Sequence, residues 1–191
     1  MTSYITFFVQ NRNAIDLDNY VPLVLEFAKT REVLILCSDI LSFENIVLNK
    51  FPVLEGIGSI RIIYLDDIFL PEKLSFVRIR KRKLYKYYVK ISLMFNNTNE
   101  LKYYAANSDL IFATNLTNSK NNNRTIENLF YKYAKASQAI FVGTQLVPWV
   151  SWYQSDIYNF DYFLCSSKNE YNELVAKNVD VKLVYKGCPS F

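Results

Sequence analysis

No histidine occurs anywhere in the 191 residues. That absence removes imidazole as general base, the Ser-His and Cys-His nucleophile pairs, and most zinc sites in one step. Glycine is scarce, with four residues in all, and none of them forms a Gly-x-Gly-x-x-Gly turn or a phosphate-cradling P-loop. The first strand-like run leads instead into Val9-Gln10-Asn11-Arg12-Asn13. Gly56 and Gly58 precede a strand rather than follow one, which marks a turn and not a ligand loop. No apolar run approaches the roughly 20 residues needed to span a bilayer. The first residues, Met1 to Phe8, lack the basic region and cleavage site of a secretory leader.

The three cysteines, Cys37, Cys165 and Cys188, are odd in number and widely spaced. Such spacing fits buried thiols in a reducing compartment, not a disulfide framework or a metal cluster. We therefore expect a cytoplasmic protein, with no metal and no cofactor. Hydrophobic residues make up 51% and charged residues 21%. That balance suits one folded domain with a sizeable core, spanning residues 1–191.

What is present is an alternation of short apolar runs and amphipathic stretches. Residues 5–9, 33–37, 60–65, 110–113, 139–142, 162–165 and 181–185 are short and rich in Ile, Val, Phe and Leu, as strands buried on both faces are. Between them, Tyr20, Val21, Leu23, Val24 and Phe27 form one helical stripe behind a capping Asp16 or Asp18. Short helices are expected from Ser42, through Leu101–Ala106, from Thr125 to Ala134, and around Glu170–Ala176 behind a capping Ser167. A longer helix is expected over about 72–95. Gly143 to Trp149 reads as an irregular loop. Strands separated by helices predict an α/β fold: a three-layer Rossmann-like domain, its mostly parallel sheet of about seven strands covered by helices on both faces.

Such sheets bind ligands beyond the carboxyl ends of their strands. The loops nominated are Gln10 to Asn13 (Asn11, Arg12 and Asn13), Thr114 and Asn115, Gly143, Thr144 and Gln145, and Ser166 with Ser167. Their polar groups suit a sugar or phosphate, and each is equally suited to closing a turn or capping a helix. Asp66 and Asp67 end the third strand and read as a cap or solvated turn, with a metal or base role as the alternative.

The densest charge feature is Arg78, Arg80, Lys81, Arg82, Lys83, Lys86 and Lys90, seven cations with no anion between them and three tyrosines interleaved. A basic amphipathic helix suits an anionic membrane surface or an anionic acceptor. No nucleic-acid module pattern accompanies it, so nucleic acid is not an expected partner.

Three segments carry a family resemblance: Ala139-Ile140-Phe141-Val142-Gly143-Thr144, Asp161-Tyr162-Phe163-Leu164-Cys165-Ser166-Ser167, and Lys186-Gly187-Cys188-Pro189. They resemble the N-terminal domain of GT-B-type glycosyltransferases, in particular the CDP-glycerol glycerophosphotransferase branch of cell-surface polysaccharide biosynthesis. In that branch a strand ends in a His-Gly-Thr-like turn, and a later strand is followed by Gly-aromatic-Pro. Here Val142 stands in the histidine's place and Cys188 in that of the aromatic. The resemblance implies an acceptor-side half, with Gly187 at the exit of the last strand. A C-terminal donor domain or partner chain would hold the nucleotide, a glycan or lipid-linked molecule would be the acceptor, and the protein would sit peripherally at the inner face of the membrane. The alternatives are a non-catalytic glycan- or membrane-binding module of the same fold, and a flavodoxin-like domain with a phosphate or cofactor at Gln10 to Asn13.

Overall fold

The computed structural model describes residues 3–9, 15–37, 46–64, 68, 99–113, 125–144, 160–165 and 167–185. Seven strands form one sheet: β1 (Tyr4–Val9), β2 (Glu32–Cys37), β3 (Ile60–Tyr64), β4 (Ser108–Ala113), β5 (Ile140–Thr144), β6 (Tyr162–Cys165) and β7 (Lys182–Tyr185). Their spatial order is β3-β2-β1-β4-β5-β6-β7. All six pairings are parallel. The helices of the described residues are α1 (Ile15–Ala28), α2 (Ile46–Lys50), α3 (Asn99–Ala106), α4 (Thr125–Ala136) and α5 (Lys168–Ala176), with a 3₁₀ turn over Pro52–Leu54.

A parallel pair cannot be joined by a hairpin, so each crossover must cross a face of the sheet, and it does so with right-handed sense. From β1 the chain steps outward to β2 and β3; from β4 it steps the opposite way to β7. One handedness and two directions put the helices on opposite faces. Alternate strand residues follow suit. Ile5, Phe7, Val9, Val33, Ile35 and Phe112 pack with Leu17, Tyr20 and Val24 of α1 and Val47 of α2. Tyr4, Phe8, Leu34, Ile111 and Phe141 pack with Leu101 of α3, Phe130 of α4 and Leu174 of α5. The β1 strand is buried along its whole length. This burial on both faces is why the strands read as continuous apolar runs.

At the centre, Phe7 of β1 and Phe112 of β4 stack at 4.8 Å between centroids, with ring planes 7° apart. On the other face, Ser108 Oγ donates to the Tyr104 carbonyl at 2.7 Å. Its one proton is thereby used, so the 2.7 Å contact between Thr6 Oγ1 and Ser108 Oγ has Thr6 as donor. Both buried hydroxyls of this strand pair are thus satisfied. Pro22 lies inside α1. It removes the bond to the Asp18 carbonyl, and the helix is held instead by its buried stripe of Leu17, Tyr20 and Val24.

Among the described residues, the strands and helices expected from sequence are present, with one correction. Gly143 and Thr144 do not begin a loop. They are the last residues of β5, paired with Ala113, Phe163 and Leu164. Glycine is not a loop signal here, because its role is steric. A Cβ at Gly143 would lie 2.5 Å from Phe163 Cδ2 and 2.7 Å from Phe160 Cδ2. The helix expected over about 72–95, with its seven cations, lies outside the described residues, as do Asp66 and Asp67.

Gly143→Ala is therefore expected to destabilise the fold by about 1–3 kcal/mol through overpacking. Gly58→Ala, where an added Cβ meets nothing within 4 Å, should leave the denaturant midpoint unchanged or slightly raised. Urea unfolding followed by circular dichroism compares the two.

Candidate functional site

The register of the sheet lines up the carboxyl ends of its strands. Phe8 pairs with Ala113, Ala113 with Gly143, Thr144 with Leu164, and Cys165 with Tyr185. Strand order reverses between β1 and β4, so the crevice of a doubly wound sheet falls beyond Val9 and Ala113. Of the residues nominated from sequence, Gly143, Thr144 and Ser167 are described. Asn11, Arg12, Asn13, Thr114, Asn115, Gln145, Ser166 and Gly187 lie outside the described residues, as does the basic run.

The three described residues do different things. Gly143 faces the α4–α5 side, where the Phe160 and Phe163 rings occupy the space a side chain would need. Thr144 is turned to the α1 side, where its Oγ1 shares a 2.6 Å hydrogen bond with the Tyr20 hydroxyl. Ser167 is a helix cap: its backbone is extended, and its Oγ accepts from the Glu170 amide at 3.1 Å. Ser167-Lys168-Asn169-Glu170 has the spacing of a capping box, and the first-turn carboxylate also suits the helix dipole. Ser167 is thus a structural residue of α5.

Two contributors were not singled out from sequence. Tyr20 was one member of an apolar stripe, and nothing local marks its hydroxyl as the link to a strand 124 residues away. Glu170 is 3% exposed, and its signal was the Ser-x-x-Glu spacing. Beside it, burial and then the Glu170 carboxylate push the Cys165 thiol up to about 12. Cys165 is therefore a protonated core group at neutral pH and not a nucleophile. Cys37 is likewise buried.

A second polar cluster lies at the opposite, amino-terminal end of the strands. Arg61 Nη1 donates to the Tyr4 hydroxyl at 3.4 Å, and the Tyr4 and Tyr104 rings meet at 6.3 Å. Burial raises the pKa of Tyr4, opposed by Arg61. Burial also raises Tyr104, opposed by Arg61 and assisted by Glu100. Nearby, Arg31 Nη2 bridges to Asp109 at 2.9 Å and to Ser3 at 3.1 Å, and Ser3 also donates to Asp109. These contacts tie together the starts of β1, β2, β3 and β4 and face away from the crevice.

Among the described residues, no group of three or more His, Cys, Asp or Glu could hold a metal ion. No helix of the described residues is long and apolar enough to cross a membrane. Compared with known proteins, the chain matches no family model and no curated sequence. Among the described residues, the carboxyl ends of β5 and β6 offer hydroxyls and strand-end amides over an apolar base.

Cys165 has a folded pKa above its unfolded value near 9, and Tyr4, Tyr104 and Tyr131 lie above theirs near 10. The neutral forms fit the fold, so their stabilisation is complete below the unfolded values and is lost as pH rises through the folded ones. Stability measured by urea titration is expected to fall steeply from pH 9 to 12, with a shallower slope in Cys165→Ala. At pH 8, Cys37 and Cys165 should resist a thiol reagent until denaturant is added.

Proposed function

We propose that this chain is the acceptor-side domain of a glycosyl- or glycerophosphoryl-type transferase of cell-surface polysaccharide biosynthesis, acting together with a nucleotide-donor domain or partner chain. The observation that carries the reading is the adjacency of its two longest family-like segments. Within them, Ile140–Thr144 and Tyr162–Cys165 form neighbouring parallel strands, with Val142 paired to Tyr162 and Gly143 to Phe163. The Asp161 carboxylate further joins them by accepting from the Phe141 amide at 2.8 Å. The Gly143-Thr144 end therefore sits on the carboxyl edge where an α/β sheet receives ligands.

In this reading the domain's share of catalysis is positioning. A rigid sheet edge holds the acceptor while the partner brings the activated donor, which makes an encounter of two molecules effectively intramolecular. The cations from Arg78 to Lys90 would hold the acceptor's membrane or polymer, each contributing about 1 kcal/mol near an anionic lipid surface.

A second reading is favoured by one feature. Val142, where the resembling family carries its histidine, is 6% exposed and packed in the α1-side core with Phe112. An aliphatic core residue at that point suits a module that binds glycan or membrane without turnover.

Sedimentation with vesicles tests the proposal. The purified chain is expected to co-sediment with anionic phospholipid vesicles carrying a lipid-linked glycan, and to show no saturable binding of nucleotide-activated glycerol or sugar. Tight donor binding by the chain alone, without acceptor-dependent sedimentation, would overturn it. Transfer of label to the acceptor once the partner is supplied separates the transferase from the binding module.

A further inference from the structure

Among the described residues, β7 ends the sheet with β6 as its one neighbour, and no backbone hydrogen bond reaches its outer edge. Unpaired strand amides and carbonyls are a template for a further strand. Large apolar side chains lie exposed around that edge: Tyr185 is 42% exposed and Val175 of α5 is 48% exposed. The Tyr171 and Tyr185 rings meet at 6.4 Å, so Tyr171 lies on the β7 side of α5. Val175 follows one turn later on the same side. Along β7 the two faces differ. Val181, just before the strand, and Leu183 pack against the core under α5, and Tyr185 joins that face through Tyr171. Lys182 lies on the other face, its ammonium 4.9 Å from the centre of the Tyr162 ring, and alternation puts Val184 beside it.

We propose that β7 is a self-association edge, on which a second copy of this chain adds its own β7 antiparallel, about a two-fold axis through Leu183. Such an axis, perpendicular to the sheet, keeps each residue on its own face, so one residue of the strand must meet its own copy. With Leu183 on the axis, Leu183 faces Leu183, Val181 faces Tyr185, and Lys182 faces Val184. The Val181–Tyr185 pair is an aromatic on a β-branched residue, a favourable cross-strand combination, and symmetry supplies it twice. Moving the axis by one residue either way sets like charges opposite one another, Lys182 against Lys182 or Lys182 against Lys186. Larger shifts leave at most one opposed pair within Lys182–Tyr185. Lys182 thus selects the register and does not close the edge. The α5 helices of the two copies fall on the same face of the joined sheet, which brings Tyr171 and Val175 beside the seam. This association is independent of whether the carboxyl edge receives a ligand.

Sedimentation equilibrium of the full chain tests the association, and cysteine cross-linking tests its register. A reversible dimer of twice the chain mass is expected. Tyr185→Ser should weaken it about ten-fold, because one substitution removes two symmetry-related pairs, and urea unfolding checks that the variant keeps its fold. In a Cys188→Ser background, Leu183→Cys should form an intermolecular disulfide on mild oxidation, since Cβ atoms directly opposite one another lie about 4.5–5.5 Å apart. Cys37 and Cys165 are buried and do not compete. Lys182→Cys and Tyr185→Cys, each offset from its own copy, should cross-link much more slowly. An equal mixture of Val181→Cys and Tyr185→Cys chains should cross-link to each other, a check that leaves Leu183 intact. A chain that stays monomeric at millimolar concentration overturns the proposal. So does a dimer that Tyr185→Ser leaves unchanged, or one that cross-links as fast through Lys182→Cys as through Leu183→Cys.

Discussion

The pairing of β1 with β4 is the constraint from which the rest of this structure follows. It joins residues about a hundred positions apart, as the Thr6–Ser108 contact shows. Closing so long a stretch of chain is costly in entropy. The return is concentrated at the join: a strand buried along its whole length, a stacked Phe7–Phe112 pair, and a hydroxyl relay from Thr6 through Ser108 to the Tyr104 carbonyl. Once β1 and β4 are neighbours, right-handed crossovers leave little choice. The strands before the join grow one way with α1 and α2 on one face, and those after it grow the other way with α3, α4 and α5 on the opposite face.

The same join sets where the order of the strands reverses, the place at which open α/β sheets in general receive ligands. Among the described residues, the two ends of this sheet are chemically unlike. At the amino-terminal end, charged groups are used up against one another, Arg31 with Asp109 and Arg61 among tyrosines. At the carboxyl end of β5 and β6, the described groups are hydroxyls, amides and a protonated thiol. Histidine is absent from the sequence, and of the described cysteines Cys37 and Cys165 are both buried.

How legible this was depended on the range of the interactions involved. The seven strands could be read locally because double burial writes itself as uninterrupted apolar runs. Even Leu110-Ile111-Phe112-Ala113, flanked by polar residues, stood out. The Ser167 cap was legible for the same reason, since its partner is three residues away. Gly143 misled because glycine has two causes that look alike in sequence. A turn needs its backbone freedom, as at Gly56 with φ of 78°; close packing needs its missing side chain. Only the positions of Phe160 and Phe163 separate the two.

Residue types alone determined that imidazole chemistry is absent and that short buried strands alternate with helices, because those properties belong to single residues and to windows of a few. Tertiary structure decided which strands became neighbours, that Gly143 lies beneath two phenylalanine rings, and that the Tyr20 hydroxyl ends at Thr144. Each of these depends on the packing of segments far apart in the chain. No local pattern encodes a contact whose two halves are written more than a hundred residues from each other.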